Sequence, residues 1–206
     1  IDAVEIPTDP VAGIDLEELE AAIRRHRVAG LFIMPTFQNP MGTLLSNDRK
    51  RALMDLIIRF EIPVIEDDVQ GELYFGETRP APLKSWDTKG LVLYCSSFSK
   101  TITPGYRIGW IRPGRFFQKV LEMKFTMTAG TPTILQMTLA EYLREGGFDR
   151  HLRKLRRAYN EQLARLSAAL HTYFPAGTRS TSPAGGFLLW VELPASISGS
   201  ELSVRA

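Results

Sequence analysis

Cysteine is almost missing from this chain: Cys95 is the only one in 206 residues. A disulfide within the chain is therefore excluded, and the composition fits a reducing, cytoplasmic setting. Cys95 lies inside an apolar run and reads as a buried, inert thiol. No apolar stretch approaches the roughly 20 residues of a membrane-spanning helix, and Ile1-Asp2-Ala3-Val4-Glu5 is no signal peptide. No membrane partner and no metal site are expected. An excess of one charge is lacking too. Lys and Arg number 25 against 23 Asp and Glu, and a net +2 does not by itself make a nucleic-acid surface. The chain lacks repeats, low-complexity tracts and an initiating methionine, and it begins mid-pattern, so it reads as a fragment. What is present is ordinary for a globular protein, 44% apolar and 23% charged.

The apolar pattern alternates between two periods. Asp15 to Arg25 sets Leu16, Leu19 and Ile23 on one helical face. Gly30 to Met34 is a wholly apolar run, typical of a strand buried on both faces. Ser46 is the expected N-cap of a second helix carrying Leu53, Leu56, Ile57 and Phe60. Pro63-Val64-Ile65 opens another strand that ends in Glu66-Asp67-Asp68. A loop rich in Gly and Pro leads to a third strand from Leu91 to Tyr94, and Arg107 to Ile111 reads as a fourth. Helices are expected over Phe116–Thr126, Thr133–Glu145 and from Phe148 onward, the last with Leu152, Leu155, Tyr159, Leu163, Leu166 and Leu170 aligned. A turn at Pro183-Ala184-Gly185-Gly186 introduces a final strand, Phe187 to Leu193. This order predicts an α/β fold, a mostly parallel mixed sheet with flanking helices. Residues 1–149 read as most of one large domain. Residues 150–206 read as an interdomain helix and the start of a smaller α+β unit.

Lys100 follows the third strand, and Pro104-Gly105 forbids a long helix from starting at it. The strand thus delivers a primary amine, flanked by hydroxyls, to a turn. Ligands of open α/β sheets bind beyond the carboxyl ends of the strands. Three strand ends here carry polar groups: Asn39 after the first, Asp67 after the second, and Ser97, Ser99 and Lys100 after the third, with Arg107 near the same rim. Singly, each has a plainer reading as turn former, helix cap or solvated charge. Their shared position favours a site. An amine for an imine bond, an acid against a pyridinium nitrogen and donors for a phosphate are the needs of pyridoxal 5'-phosphate. In that arrangement Lys100 is also the base that moves an α-proton, and the amide of Asn39 bonds the ring oxygen.

The segments Pro35-Thr36-Phe37-Gln38-Asn39-Pro40-Met41-Gly42, Val64-Ile65-Glu66-Asp67-Asp68, Ser97-Phe98-Ser99-Lys100 and Arg107-Ile108-Gly109-Trp110 resemble the class I/II, fold-type I aminotransferases. The resemblance extends over nearly the whole chain. It implies a PLP-dependent transferase-like large domain with Lys100 as the Schiff-base lysine. It also implies Asp67 as the pyridine-nitrogen partner, Asn39 at the ring oxygen, and Ser97, Ser99 and Arg107 at the phosphate. Glu66 to Gly76 and His151 to Tyr159 are similar, more narrowly, to the effector domains of GntR-family regulators of the MocR type, and to 2-aminoadipate and kynurenine-type aminotransferases. That likeness implies an amino acid as effector or substrate, DNA contact only through an N-terminal winged helix-turn-helix outside this chain, and a homodimer of the whole protein. One position departs from the pattern. A tyrosine is expected three residues after the aspartate, near the ring oxygen, and Gln70 stands there. Its amide can donate a hydrogen bond but lacks the phenol's acidity. Regulator and enzyme both stay open.

Two other classes compete. Ser97-Phe98-Ser99-Lys100 fits Ser-x-x-Lys, the nucleophile motif of penicillin-binding enzymes, but the companion tripeptides Ser-Asp-Asn and Lys-Thr-Gly do not occur. A folded but non-catalytic structural fragment is the other. The basic run Arg153-Lys154-Leu155-Arg156-Arg157 reads as a solvated face of the long helix, because its apolar stripe is regular.

Overall fold

A computed structural model describes residues 2–205. The chain opens with a two-residue ladder between β1 (Thr8–Asp9) and β2 (Gly13–Ile14). Asp9 Oδ1 accepts the backbone N–H groups of Val11 and Ala12, each at 2.7 Å, and so closes the turn between them. This hairpin was not expected. Its strands are too short to leave a period in the sequence.

Helix α1 (Leu16–Arg25) starts at Asp15, whose Oδ1 accepts from Glu17 N (2.9 Å) and Glu18 N (3.1 Å). Strand β3 (Leu31–Ile33) follows, then α2 (Asn47–Phe60), capped as expected by Ser46 Oγ on Arg49 N. Helix α2 stops at Glu61, which is left-handed at φ 53°. Strands β4 (Val64–Asp67), β5 (Val92–Ser97) and β6 (Gly109–Arg112) complete a four-stranded sheet of order β3-β4-β5-β6. The first three strands are parallel. Strand β6 is antiparallel to β5, pairing Ser97 with Gly109 and Tyr94 with Arg112.

The core lies between this sheet and α2. Leu53, Met54 and Ile57 pack with Ile33, Val64, Leu83, Leu91 and Val92, most of them wholly buried. Burying one such side chain stabilises the fold by roughly 1.5–3 kcal/mol. Among the described residues the opposite sheet face is only partly covered: Phe32 is 64% exposed, Ile65 45% and Ile111 39%.

Helices α3 (Phe117–Thr128) and α4 (Thr133–Arg144) extend from the sheet, with Leu139 their one buried residue. The 27-residue α5 (Gly147–Tyr173) runs about 40 Å. Leu152 and Leu170 of its predicted stripe are buried, whereas Leu166 is half exposed. The strand expected over Phe187–Leu193 contracts to β8 (Val191–Glu192), paired with β7 (Arg179–Ser180). A strand needs a partner, and among the described residues only those two positions offer one. Gly185 instead makes an isolated bridge with Tyr74. Helix α6 (Gly199–Arg205), also not expected, ends the described chain.

Candidate functional site

Three parallel strands bring their carboxyl ends to one rim, and the antiparallel β6 starts at that rim. Asp67 is the last residue of β4, beside Cys95 of β5. Ser97 ends β5 opposite Gly109, and Phe98 N continues the ladder to Ile108 O at 3.1 Å. Arg107 thereby comes to the rim beside the Ser97–Lys100 turn. It is exposed and left-handed at φ 53°, an uncommon conformation for a residue with a Cβ. Gly109 allows the close pairing: a Cβ there would sit 2.9 Å from Ser96 O.

The lysine turn winds back on itself. Ser97 Oγ accepts from Ser99 N at 3.4 Å, and Phe98 O accepts from both Ile102 N (2.8 Å) and Thr103 N (3.2 Å). The chain then passes into a single 3-10 turn at Pro104–Tyr106, so no long helix follows Lys100. Helix α5 fixes the turn from behind. Phe148 meets Phe98 edge to face at 5.9 Å, and His151 Nε2 lies 2.8 Å from Thr101 O. Lys100 stays exposed, its Nζ 5.6 Å from the centre of the Phe187 ring.

Asn39 projects from the loop after β3, which Gln38 N to Thr43 O (2.9 Å) and Gly42 N to Gln38 O (2.6 Å) close into a tight turn. The Asn39–Pro40 peptide is cis, and Asn39 is exposed. Asp67 is partly buried, with Oδ1 accepting from Val69 N at 3.1 Å. Gln70 differs from all of these. It is 2% exposed, and its Nε2 donates to Phe37 O at 2.9 Å while Oε1 accepts from Phe187 N at 3.4 Å.

Alternation along the strands sorts the rim into two faces. Asp67, Cys95 and Ser97 share the face of Ile65 and Ile111. Glu66 and Asp68 point to the other side, into a buried network that motif reading missed. Glu66 accepts the N–H groups of Leu83 (2.6 Å) and Lys84 (2.8 Å). Burial pushes its carboxyl up to about 7. Asp68 is bonded by Arg79 and by the Tyr94 hydroxyl, and burial raises it as well. Arg79 also pairs with Glu72 (2.7 Å), which Arg156 of α5 approaches at 3.4 Å. Lys50, wholly buried, donates to Ala81 O (2.7 Å) and Thr36 Oγ1 (3.3 Å), and burial lowers it to about 8. The available signal was three acids in succession at a strand end, which alternation must divide between two environments. The Cys95 thiol is pushed up to about 11 by burial, so it is protonated and unreactive at neutral pH.

Known proteins share this fold. The family model for aminotransferases of class I and II matches residues 1–204. An uncharacterized HTH-type transcriptional regulator of Escherichia coli, YjiR, is 43% identical over 194 residues, covering 94% of this chain and 41% of that protein. Among solved structures, the multiple substrate aminotransferase of Thermococcus profundus superposes with a TM-score of 0.90 at 30% identity, covering 98% of this chain and 51% of that one. The α-aminoadipate aminotransferase LysN of Thermus thermophilus, solved with N-(5'-phosphopyridoxyl)-L-leucine, gives 0.88 at 35% identity, covering 97% and 52%. The chain thus spans about two fifths to half the length of these proteins. With its four-stranded mixed sheet, flanking helices and polar rim, it belongs to the class I and II aminotransferase family.

Proposed function

We propose that this chain is the cofactor-bearing part of a pyridoxal-phosphate-binding, aminotransferase-like domain that senses an amino acid effector within a GntR/MocR-type transcriptional regulator. The observation that carries the reading is that Asp67, Ser97, Ser99, Lys100 and Arg107 lie along one sheet rim, with Asn39 on the loop after the neighbouring strand, in a chain 43% identical to an HTH-type regulator. The donor set fits the cofactor. Lys100 is an exposed amine on a turn that α5 braces, suited to a covalent bond with an aldehyde. Asp67 sits at the strand end, where a carboxylate can hold a pyridine nitrogen protonated. Ser97, Ser99 and the Arg107 guanidinium supply donors for a phosphate at the same edge. When bound, the cofactor supplies an electron-withdrawing ring that acidifies the α-carbon of an attached amino acid. The chain's part is to anchor that ring, keep its nitrogen charged and offer the Lys100 amine as proton carrier. In this reading residues 1–149 belong to the large domain, and 150–206 begin the smaller one. DNA is reached through another part of a cytoplasmic, homodimeric whole protein.

A second reading, a free-standing aminotransferase acting on an α-amino acid of the 2-aminoadipate type, is favoured by the likeness to LysN. One experiment separates the two. The whole protein should show the visible absorption of bound pyridoxal phosphate, and Lys100→Ala should lose it. Operator binding that changes with an amino acid, without measurable transamination, supports the sensor. Steady transamination supports the enzyme, and an unchanged spectrum in Lys100→Ala removes the lysine from its role.

A further inference from the structure

Gln70 stands where a ring-contacting residue is expected, yet it is almost wholly buried and both ends of its amide are engaged within the protein. The two partners lie far apart in sequence. Phe37 O belongs to the loop that carries Asn39, and Phe187 N belongs to the segment after α5. That segment is pressed against the β4 exit. Gly186 N donates to Leu73 O at 2.8 Å, Phe75 N donates to Ala184 O at 3.0 Å, and Tyr74 bridges Gly185. No side chain fits between them. A Cβ on Gly186 would lie 2.6 Å from Gln70 Oε1, and one on Gly185 would lie 2.3 Å from Phe37 Cζ. Gln70 is therefore the polar centre of a three-segment junction. The residue it holds by the backbone, Phe187, turns its ring toward Lys100 on one side and Tyr159 of α5, at 5.8 Å, on the other.

We propose that Gln70 is a positioning residue: its amide ties the Phe187 backbone to the loop after β3 and so holds the Phe187 ring against the Lys100 amine. Few other side chains could do this. Glutamate would set a second oxygen against Phe37 O, and alanine would leave a buried carbonyl and a partly buried N–H without their partners. An aromatic face 5.6 Å from the ammonium restricts where the amine can swing. The junction thus bears on the reactivity of Lys100 without touching the reacting atoms. This inference rests on the reading of Lys100 as the cofactor anchor, but half of its test does not.

Gln70→Met keeps the side chain's length and removes its hydrogen bonds. In the cofactor-free whole protein, hydrogen exchange at the Phe187 amide should quicken roughly threefold or more, the effect of losing one partly buried hydrogen bond, while the amides of Leu53 and Val64 stay protected. In the loaded protein, the pH midpoint of the visible band should shift. An unchanged Phe187 exchange rate overturns the junction, and an unmoved midpoint overturns its influence on Lys100. Should Gln70→Met fail to fold, Phe187→Leu takes its place. There the residue-187 amide should stay protected while the midpoint still moves, and a fixed midpoint is the contrary result. Loss of the cofactor reading would show separately, as a Lys100→Ala protein with the wild-type spectrum.

Discussion

Glu66 gives the residue scale its clearest test, because its environment reverses the usual behaviour of an acid. Its carboxyl moves from an ordinary 4.5 up to about 7 on burial. Between those values the unfolded chain has lost the proton and the folded chain keeps it, so stability falls as pH rises through that window. Lys50 acts above it, since a value lowered from 10.5 to about 8 makes stability rise between pH 8 and 10.5. Glu66→Gln should therefore remove most of the decline between about pH 5 and 7.5, about 2–3 kcal/mol in urea unfolding. A variant that declines as steeply as the wild type would place the titrating group elsewhere. At this scale the positions of the candidate residues on the fold were readable. Asn39, Asp67, Ser97 and Lys100 follow or end strands and Arg107 precedes one, and strand ends are marked by local polarity. The inward turn of Gln70 was not readable, because its partners at 37 and 187 depend on contacts that no local pattern records.

Among elements, legibility followed period and length. Helices α1 to α5 fell within one or two residues of the bounds expected for them, because a 3.6-residue repeat with capping groups is local information. Ser46 is such a cap. Ser46→Ala should cost about 1 kcal/mol, read as a lower urea midpoint, and no change would mean that water or Asn47 replaces the hydroxyl. The four strands of the main sheet were readable as strands and as mostly parallel, but which of them runs against the others was not. That β6 runs against β5 follows from the tight turn through Pro104–Tyr106, which reverses the chain, and apolar runs carry no arrow. The shortened strand near Phe187 has the same origin, since pairing is a property of two segments and only one was visible in the pattern.

At the scale of the whole molecule, the partly covered sheet face decides behaviour. Phe32, Ile65 and Ile111 lie on it, and α3 and α4 add Phe125, Met127 and Ile134, each about three-quarters exposed. Exposed apolar area on this scale marks surface meant to be covered. The chain produced by itself should bind a dye such as ANS strongly and self-associate at micromolar concentration, whereas the whole protein should do neither. A monodisperse chain with weak dye binding would contradict this account. Asp67 and Ser97 share that face, so whatever covers Ile65 and Ile111 also forms a wall beside the polar rim.

The Glu66-Asp67-Asp68 triplet also bears on how the sheet assembles. If β4 slid by one residue against its neighbours, Asp67 would enter the core and Glu66 and Asp68 would emerge at the rim. Leu83 N, Lys84 N, Arg79 and the Tyr94 hydroxyl would then lose their acceptors together. Three acids that look interchangeable in sequence thus serve as an index mark, admitting one alignment of the strand during folding and rejecting the two adjacent to it.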